Sequence, residues 1–273
     1  MVRKPSSPSQ DTRPAALITG ASAGIGAELA RCFAQDGHNL VLVARRADAL
    51  QTLAEELRSR HGAQVSVQAT DLAHHGAAEK LHTTLEQRGM AIDVLVNCAG
   101  VLHQGAFASM DSARHQAMID LNISALTAML DCFVPDMVRR GQGRVLNVAS
   151  VAAFQPIPSL ATYAASKAYV LSLSESLAEE LKGTGVTVTA LCPGITATAM
   201  MEKATRENAK LRRIPGFLVG DVADVARAAF EATQRGDAIV VPGAINQGAM
   251  IASRATPKWL LRLLGGAIGR RTL

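Results

Sequence analysis

The chain has 273 residues, 48% of them apolar and 19% charged, a composition that can bury a large core and excludes a natively disordered protein. Its net charge of +5 is a modest excess with no block of Lys and Arg, so nothing marks a nucleic-acid groove. Aromatic residues make up only 3%, which leaves Ala, Val, Leu and Ile to build the core, as in parallel strands covered on both faces.

In chain order, residues 1–13 are basic and rich in Pro and Ser without an apolar run, and read as a disordered tail rather than a signal peptide. The run AALIT at 15–19 predicts a first strand; glycine-rich sequence follows, and Ile25, Leu29 and Phe33 then share one helical stripe. Further strands are expected at 39–44, 64–69, 93–96, 143–149, 186–192 and 238–241. Between them lie a helix carrying Leu50, Leu53 and Leu57, one reaching Arg88, and others over 111–139, 161–182 and 221–235. This alternation, without an internal repeat, predicts one α/β domain over 14–245: a Rossmann-type, doubly wound parallel sheet of about seven strands flanked by helices. Residues 195–220 are too long for a simple connection and read as a substrate lid, and 246–273 read as a C-terminal extension. Cys32, Cys98, Cys132 and Cys192 have no ligand spacing, and His74, His75, His103 and His115 form no metal pattern. Reduced thiols, no metal and a cytoplasmic location are therefore expected.

The first strand ends in Thr19-Gly20-Ala21-Ser22-Ala23-Gly24-Ile25-Gly26. Glycines let a backbone turn sharply and approach a phosphate, while the helix opening behind them offers free N–H groups and a positive dipole end. After a buried strand and before an amphipathic helix, this is the setting of a dinucleotide site. Downstream come Asp71-Leu72, Asn97-Cys98-Ala99-Gly100, Asn122, Ser150, Tyr163-Ala164-Ala165-Ser166-Lys167 and Pro193-Gly194, with twelve residues between Ser150 and Tyr163. In this order and spacing the chain resembles the short-chain dehydrogenase/reductase family over about residues 14–245.

The resemblance implies hydride transfer between a nicotinamide cofactor and a carbonyl or secondary alcohol. It implies a cofactor site made by Gly20, Ser22, Ala23, Gly24, Ile25, Gly26, Asp71, Leu72, Asn97, Ala99, Gly100, Pro193, Gly194, Ile195 and Thr196, together with Tyr163 and Lys167. Asp71 would meet the adenine amino group; its alternative is an N-cap for the following helix. The choice of cofactor rests on the end of the second strand, where an NAD site carries an acid. That place holds Ala44, followed by Arg45 and Arg46, and guanidinium groups can grip a 2′-phosphate through paired charged hydrogen bonds. NADP(H) is therefore expected over NAD(H), with Arg45 the first candidate and Arg46 the second.

Tyr163 and Lys167 stand four residues apart, on one face of a helix, where a cation beside a phenol favours the phenolate. By resemblance Tyr163 is the general acid in reduction and the base in oxidation, and Ser150 polarises the substrate oxygen. Lys167 holds the nicotinamide ribose and lowers the tyrosine pKa, and Asn122 fixes a water between Lys167 and solvent. Tyr169 has Leu173 where the lysine would be and reads as a packing residue.

Met200, Met201, Ile214, Pro215, Phe217 and Leu218, interspersed with Lys203, Arg206, Lys210, Arg212 and Arg213, suit an apolar or acyl-type substrate. The segment VPGAINQ at 241–247 looks like the 3-oxoacyl and hydroxysteroid reductase branch. A hydroxy-amino-acid dehydrogenase and a non-catalytic NADP-sensing regulator are the alternatives; the first needs a small polar pocket and the second usually lacks the Tyr or Lys. The resemblance also implies a homodimer or homotetramer built through 111–139 and 161–182. In 257–271, Trp259, Leu260, Leu263, Leu264 and Ile268 share a stripe among Lys258, Arg262, Arg270 and Arg271. Docking on its own domain or a sister subunit is the reading preferred from sequence; peripheral contact with an anionic membrane is the other.

Overall fold

In a computed structural model, which describes residues 13–198 and 219–256, the aliphatic runs pair side by side into one sheet. The strands are β1 (Ala15–Thr19), β2 (Asn39–Ala44), β3 (Val65–Ala69), β4 (Val94–Asn97), β5 (Gly143–Val148), β6 (Val186–Leu191) and β7 (Ile239–Val240). They lie in the order β3-β2-β1-β4-β5-β6-β7, and every neighbouring pair is parallel. Parallel neighbours cannot be joined by a tight turn, so each crossover carries the chain back over a face of the sheet.

The crossovers are α1 (Gly24–Gln35), α2 (Ala47–His61), α3 (Ala77–Gln87), α4 (Ser112–Ile119), α5 (Leu126–Arg140), α6 (Ala161–Glu180) and α7 (Val222–Arg235), with α8 (Ala244–Ala255) after β7. Leu29, Phe33, Leu50, Leu57 and Ala226 form the core on one face of the sheet, and Leu81, Leu85, Met129, Phe133 and Val170 form it on the other. The expected single α/β domain with a seven-stranded parallel sheet is thus found. Residues 112–140 are apolar and long enough to cross a membrane by composition, yet Met118, Met129, Phe133 and Met137 from this stretch are buried in the domain.

Two elements differ from expectation. The helix foreseen over 111–139 is broken into α4 and α5 by a π-helical turn at Asp120–Ala125. Within that turn Asn122 reaches out of the helix, donating to Val101 O at 3.0 Å and accepting from Val101 N at 2.9 Å. Such π turns re-aim a side chain at the cost of regular helical bonding. The second is α8, which begins at Ala244 and so runs across the boundary expected at 245. Ser253 donates to Phe154 O at 2.9 Å, tying this helix to the domain.

A buried polar chain sets the register between sheet and helix. Asn97 on β4 donates to Asn147 Oδ1 at 2.9 Å, Asn147 on β5 donates to Ser174 Oγ at 3.0 Å, and Ser174 on α6 donates to Val170 O at 2.6 Å. All three side chains are buried, so each bond replaces one lost to water. Ser174→Ala leaves the Asn147 amide without its acceptor and should cost about 1–3 kcal/mol in urea denaturation; an unchanged midpoint would mean the chain sets no register.

Candidate active site

The strand order reverses at β1, which pairs with β2 on one side and β4 on the other. At such a switch point the connections leave in opposite directions and open a crevice at the carboxyl ends of the strands. Here the crevice is a cleft of about 810 Å³, lined by residues that follow β1 to β6.

The turn after β1 is shaped by three glycines. Gly20 has φ +69°, and a Cβ there would lie 2.9 Å from Ala99 N; a Cβ on Gly26 would lie 2.5 Å from Gly20 O. Gly24, at φ +57°, starts α1, whose N-cap Ala23 has no side chain to satisfy the first N–H groups. Those donors point at the cleft mouth, where a phosphate can take them up. Thr19, which sequence reading passed over as part of the motif, joins the loop to the next strand: its Oγ1 donates to Val96 O at 3.2 Å and accepts from Cys98 N and Ala99 N, both at 3.0 Å.

Arg45 and Arg46 both line the cleft where β2 ends. Arg46 donates to Ser22 O at 3.0 Å and Ser22 Oγ at 3.3 Å, which lays its guanidinium against the glycine turn. Arg45 is 73% exposed and stands 3.8 Å from Asp71 Oδ2. Asp71 accepts from Ala73 N at 3.1 Å; α3 starts only at Ala77, so this caps a local turn and not the helix. The glycine cradle, the open helix start and the paired guanidinium groups together fit a phosphorylated dinucleotide.

At the other end of the cleft Ser150, just after β5, and Tyr163, in the first turn of α6, come together; a hydrogen bond links the two. Burial pushes the Tyr163 phenol up, with that bond to Ser150 working against it. Burial likewise takes the Lys167 ammonium from its ordinary 10.5 down to about 8. The expected pull of Lys167 on the phenol is not what governs here. Its Nζ lies 5.9 Å from the Tyr163 ring centroid and donates to Val148 O at 2.8 Å. Desolvation outweighs a charge held at that distance. Both amide hydrogens of Asn122 go to protein partners, Val101 O and Ser166 Oγ, each at 3.0 Å. One Oδ1 lone pair is left for a water, so the side chain serves first to hold α6 against the 98–101 segment.

Leu72, Asn97, Ala99, Gly100, Pro193, Gly194, Ile195 and Thr196 surround these groups. All but Asn97 line the cleft, and Asn97 is buried behind it in the polar chain described above. Tyr169, read from sequence as a packing residue, is 37% exposed with its hydroxyl 2.9 Å from Thr127 Oγ1. The ends of the expected lid are pinned together, Gly220 donating to Ile195 O at 2.8 Å and Ala197 to Gly220 O at 3.2 Å. Its apolar and basic residues from Met200 to Leu218, like the 257–271 stripe, lie outside the described residues.

A family model described as short chain dehydrogenase matches residues 14–209, a span holding the glycine turn, Ser150, Tyr163 and Lys167. The chain belongs to the short-chain dehydrogenase/reductase family. It is accordingly an oxidoreductase. Oxidoreductase UcpA of Salmonella typhimurium is 36% identical over 198 residues, 72% of this chain and 74% of that protein. Among solved structures, a short-chain dehydrogenase from Sphingobium yanoikuyae in complex with NADPH is 34% identical with a TM-score of 0.79, covering 88% of this chain and 93% of that one. A bulky-bulky ketone specific alcohol dehydrogenase from Comamonas testosteroni is 32% identical with a TM-score of 0.75, covering 88% and 92%.

Two measurements probe this geometry. Gly26→Ala puts a methyl 2.5 Å from a backbone oxygen and should weaken dinucleotide binding at least tenfold in a fluorescence titration. Lys167, lowered to about 8, loses its proton in the native state before the unfolded chain does. Between about pH 8 and 10 the unfolded state therefore binds more protons and stability rises; above about 10 the raised Tyr163 acts in the opposite sense. Without added cofactor, the stability deficit of wild type relative to Lys167→Met should shrink between pH 8 and 10; a constant difference would contradict the burial of this charge.

Proposed function

We propose that this protein is an NADP(H)-dependent reductase of ketones, or dehydrogenase of the matching secondary alcohols, with a preference for apolar substrates. The observation that carries the reading is the meeting of Ser150 and Tyr163 in the same cleft as the glycine turn and Arg45. The bound nicotinamide supplies the hydride.

The chain's own residues do the rest. Ser150 Oγ is held at the start of the turn at Val151–Phe154, accepting from Ala152 N at 3.1 Å, beside the Tyr163 phenol where one substrate oxygen can meet both hydroxyls. Tyr163, a phenol already protonated at neutral pH and raised further by burial, hands its proton to that oxygen as negative charge builds on it, and takes it back in oxidation. Lys167, whose proton is released near pH 8, is the neighbouring group able to exchange one close to neutrality. Arg45 and Arg46 hold the adenosine 2′-phosphate, Arg45 from its exposed position and Arg46 together with Ser22.

Leu102, Val151, Ile157 and Leu160 line the cleft beside Ser150 and Tyr163, a wall that favours an apolar carbonyl compound over a small hydroxy amino acid. NADPH bound to the Sphingobium yanoikuyae relative and the ketone preference of the Comamonas testosteroni one support both halves of this reading.

Tyr163→Phe should lower kcat for ketone reduction by roughly 10²–10⁴, and Ser150→Ala by roughly 10²–10³. Arg45→Ala should raise KM for NADPH about tenfold or more and leave KM for NADH nearly unchanged. NADPH oxidation across a panel of ketones, 3-oxoacyl thioesters and hydroxy amino acids checks all three. A fully active Tyr163→Phe enzyme, or no turnover by wild type, would overturn the reading.

A further inference from the structure

The inward side of α8 reaches two segments that contribute to the cleft, the turn at Val151–Phe154 and residues 193–196. Asn246, Met250 and Ser253 are spaced by four and then three residues, so they stand in a row along one side of the helix. From 246 to 253 the helix climbs about 10 Å, at about 1.5 Å per residue. At the near end of the row a Cβ on Gly194 would lie 2.5 Å from both Nδ2 and Oδ1 of Asn246, so this amide rests directly on the Gly194 backbone. The amide is fixed there, its Nδ2 donating to Pro242 O at 2.8 Å. Met250 packs on the core in the middle of the row. At the far end Ser253, which is buried, donates to Phe154 O at 2.9 Å.

Phe154 closes the turn that sets the Ser150 hydroxyl. Ser150 Oγ accepts from Ala152 N at 3.1 Å and Ser150 O from Ala153 N at 3.0 Å, so both bonds depend on the turn keeping its shape. A lone 3₁₀ turn has poor hydrogen-bond geometry and holds little shape by itself. Here it is tied at both ends: Val151 N donates to Pro193 O at 3.0 Å, and Phe154 O takes the Ser253 hydroxyl hydrogen. From Pro193 the chain passes to Gly194 and its contact with Asn246, which closes a ring of contacts through the turn, the segment after β6 and α8. Beyond Phe154, Ile157 and Leu160 line the cleft wall and the chain enters α6, which bears Tyr163. Ser253 therefore pins the chain between the two hydroxyls of the site.

We propose that Ser253 is a positioning residue for the reaction: through Phe154 it holds the Ser150 hydroxyl in register with the 193–196 segment, which α8 also holds through Asn246. This rests on the reading of Ser150 as a group that meets the substrate oxygen. Ser253 lies outside the cleft lining, so its effect on the reaction passes through the turn. A misplacement of about 1 Å can cost about 10²-fold in rate, which is how a bond remote from the reacting atoms governs kcat.

Amide hydrogen exchange of the full-length protein, followed by NMR without cofactor or substrate, reads the turn directly. Ser253→Ala should speed exchange of the Val151, Ala152 and Ala153 amides about tenfold and leave those of β1 and β2 unchanged. With a ketone that wild type reduces, Ser253→Ala should lower kcat about tenfold, keep KM for NADPH within about twofold, and cause no further loss when added to Ser150→Ala. A defect of folding alone would instead add its full cost in that background. Asn246→Ala, at the other end of the row, should speed the Val151 amide comparably and gives a second test if circular dichroism shows Ser253→Ala to be misfolded. Unchanged exchange of the turn amides in the folded variant, or a kcat loss of the same size with and without Ser150, would overturn the proposal. An unaltered kcat in Ser253→Ala beside a lowered one in Ser150→Ala would overturn this proposal alone, whereas an unaltered kcat in Ser150→Ala would overturn the reading of Ser150 on which it rests.

Discussion

Parallel pairing is the constraint on which the rest of this structure depends. Once β1 is bonded to β2 on one side and β4 on the other with all strands pointing the same way, no connection can be short, and both faces of the sheet must be covered by helices. The same constraint gathers the carboxyl ends of six strands along one rim. The glycine turn after β1, the arginines after β2, Asp71 after β3, the 98–100 segment after β4, Ser150 after β5 and Pro193-Gly194 after β6 are far apart in the chain and adjacent on that rim.

What makes the rim a site is the exclusion of water from its inner end. Lys167 is 6% exposed, and its ammonium is kept in place by one carbonyl, Val148 O. Removing that charge from water shifts its proton toward neutral pH, and the same removal raises the Tyr163 phenol. Exactness of position comes from elsewhere. The Asn97–Asn147–Ser174 chain and the clamp of Asn122 on Val101 and Ser166 hold α6 against β4, β5 and the 98–101 segment, so that the tyrosine is presented to Ser150 by bonds remote from both.

Most of this was legible in the residue order. Aliphatic runs of four to six residues separated by amphipathic stretches specify strands and crossovers, because period and length differ between the two. The glycine turn and the Tyr-x-x-x-Lys pair are local in sequence, so both could be recognised there. The π turn at Asp120–Ala125 was not legible: what breaks the helix is the pull of the Val101 backbone on Asn122, 21 residues away, and no helical propensity reports a partner at that distance. Helix α8 was missed for a related reason, since it is secured by Ser253 reaching Phe154, a partner 99 residues away.

The sequence alone determined the fold class, the strand order's raw material, the family and the identity of the groups at the site, because these depend on periodicity and on short motifs. Only the tertiary structure decided how those groups behave. The phenol is raised and not lowered, Asn122 spends its amide hydrogens on protein, Arg46 leans on Ser22, and α8 turns its apolar side outward. Each of these depends on which distant atoms are neighbours and on how much water lies between them, quantities that exist only once the chain is folded.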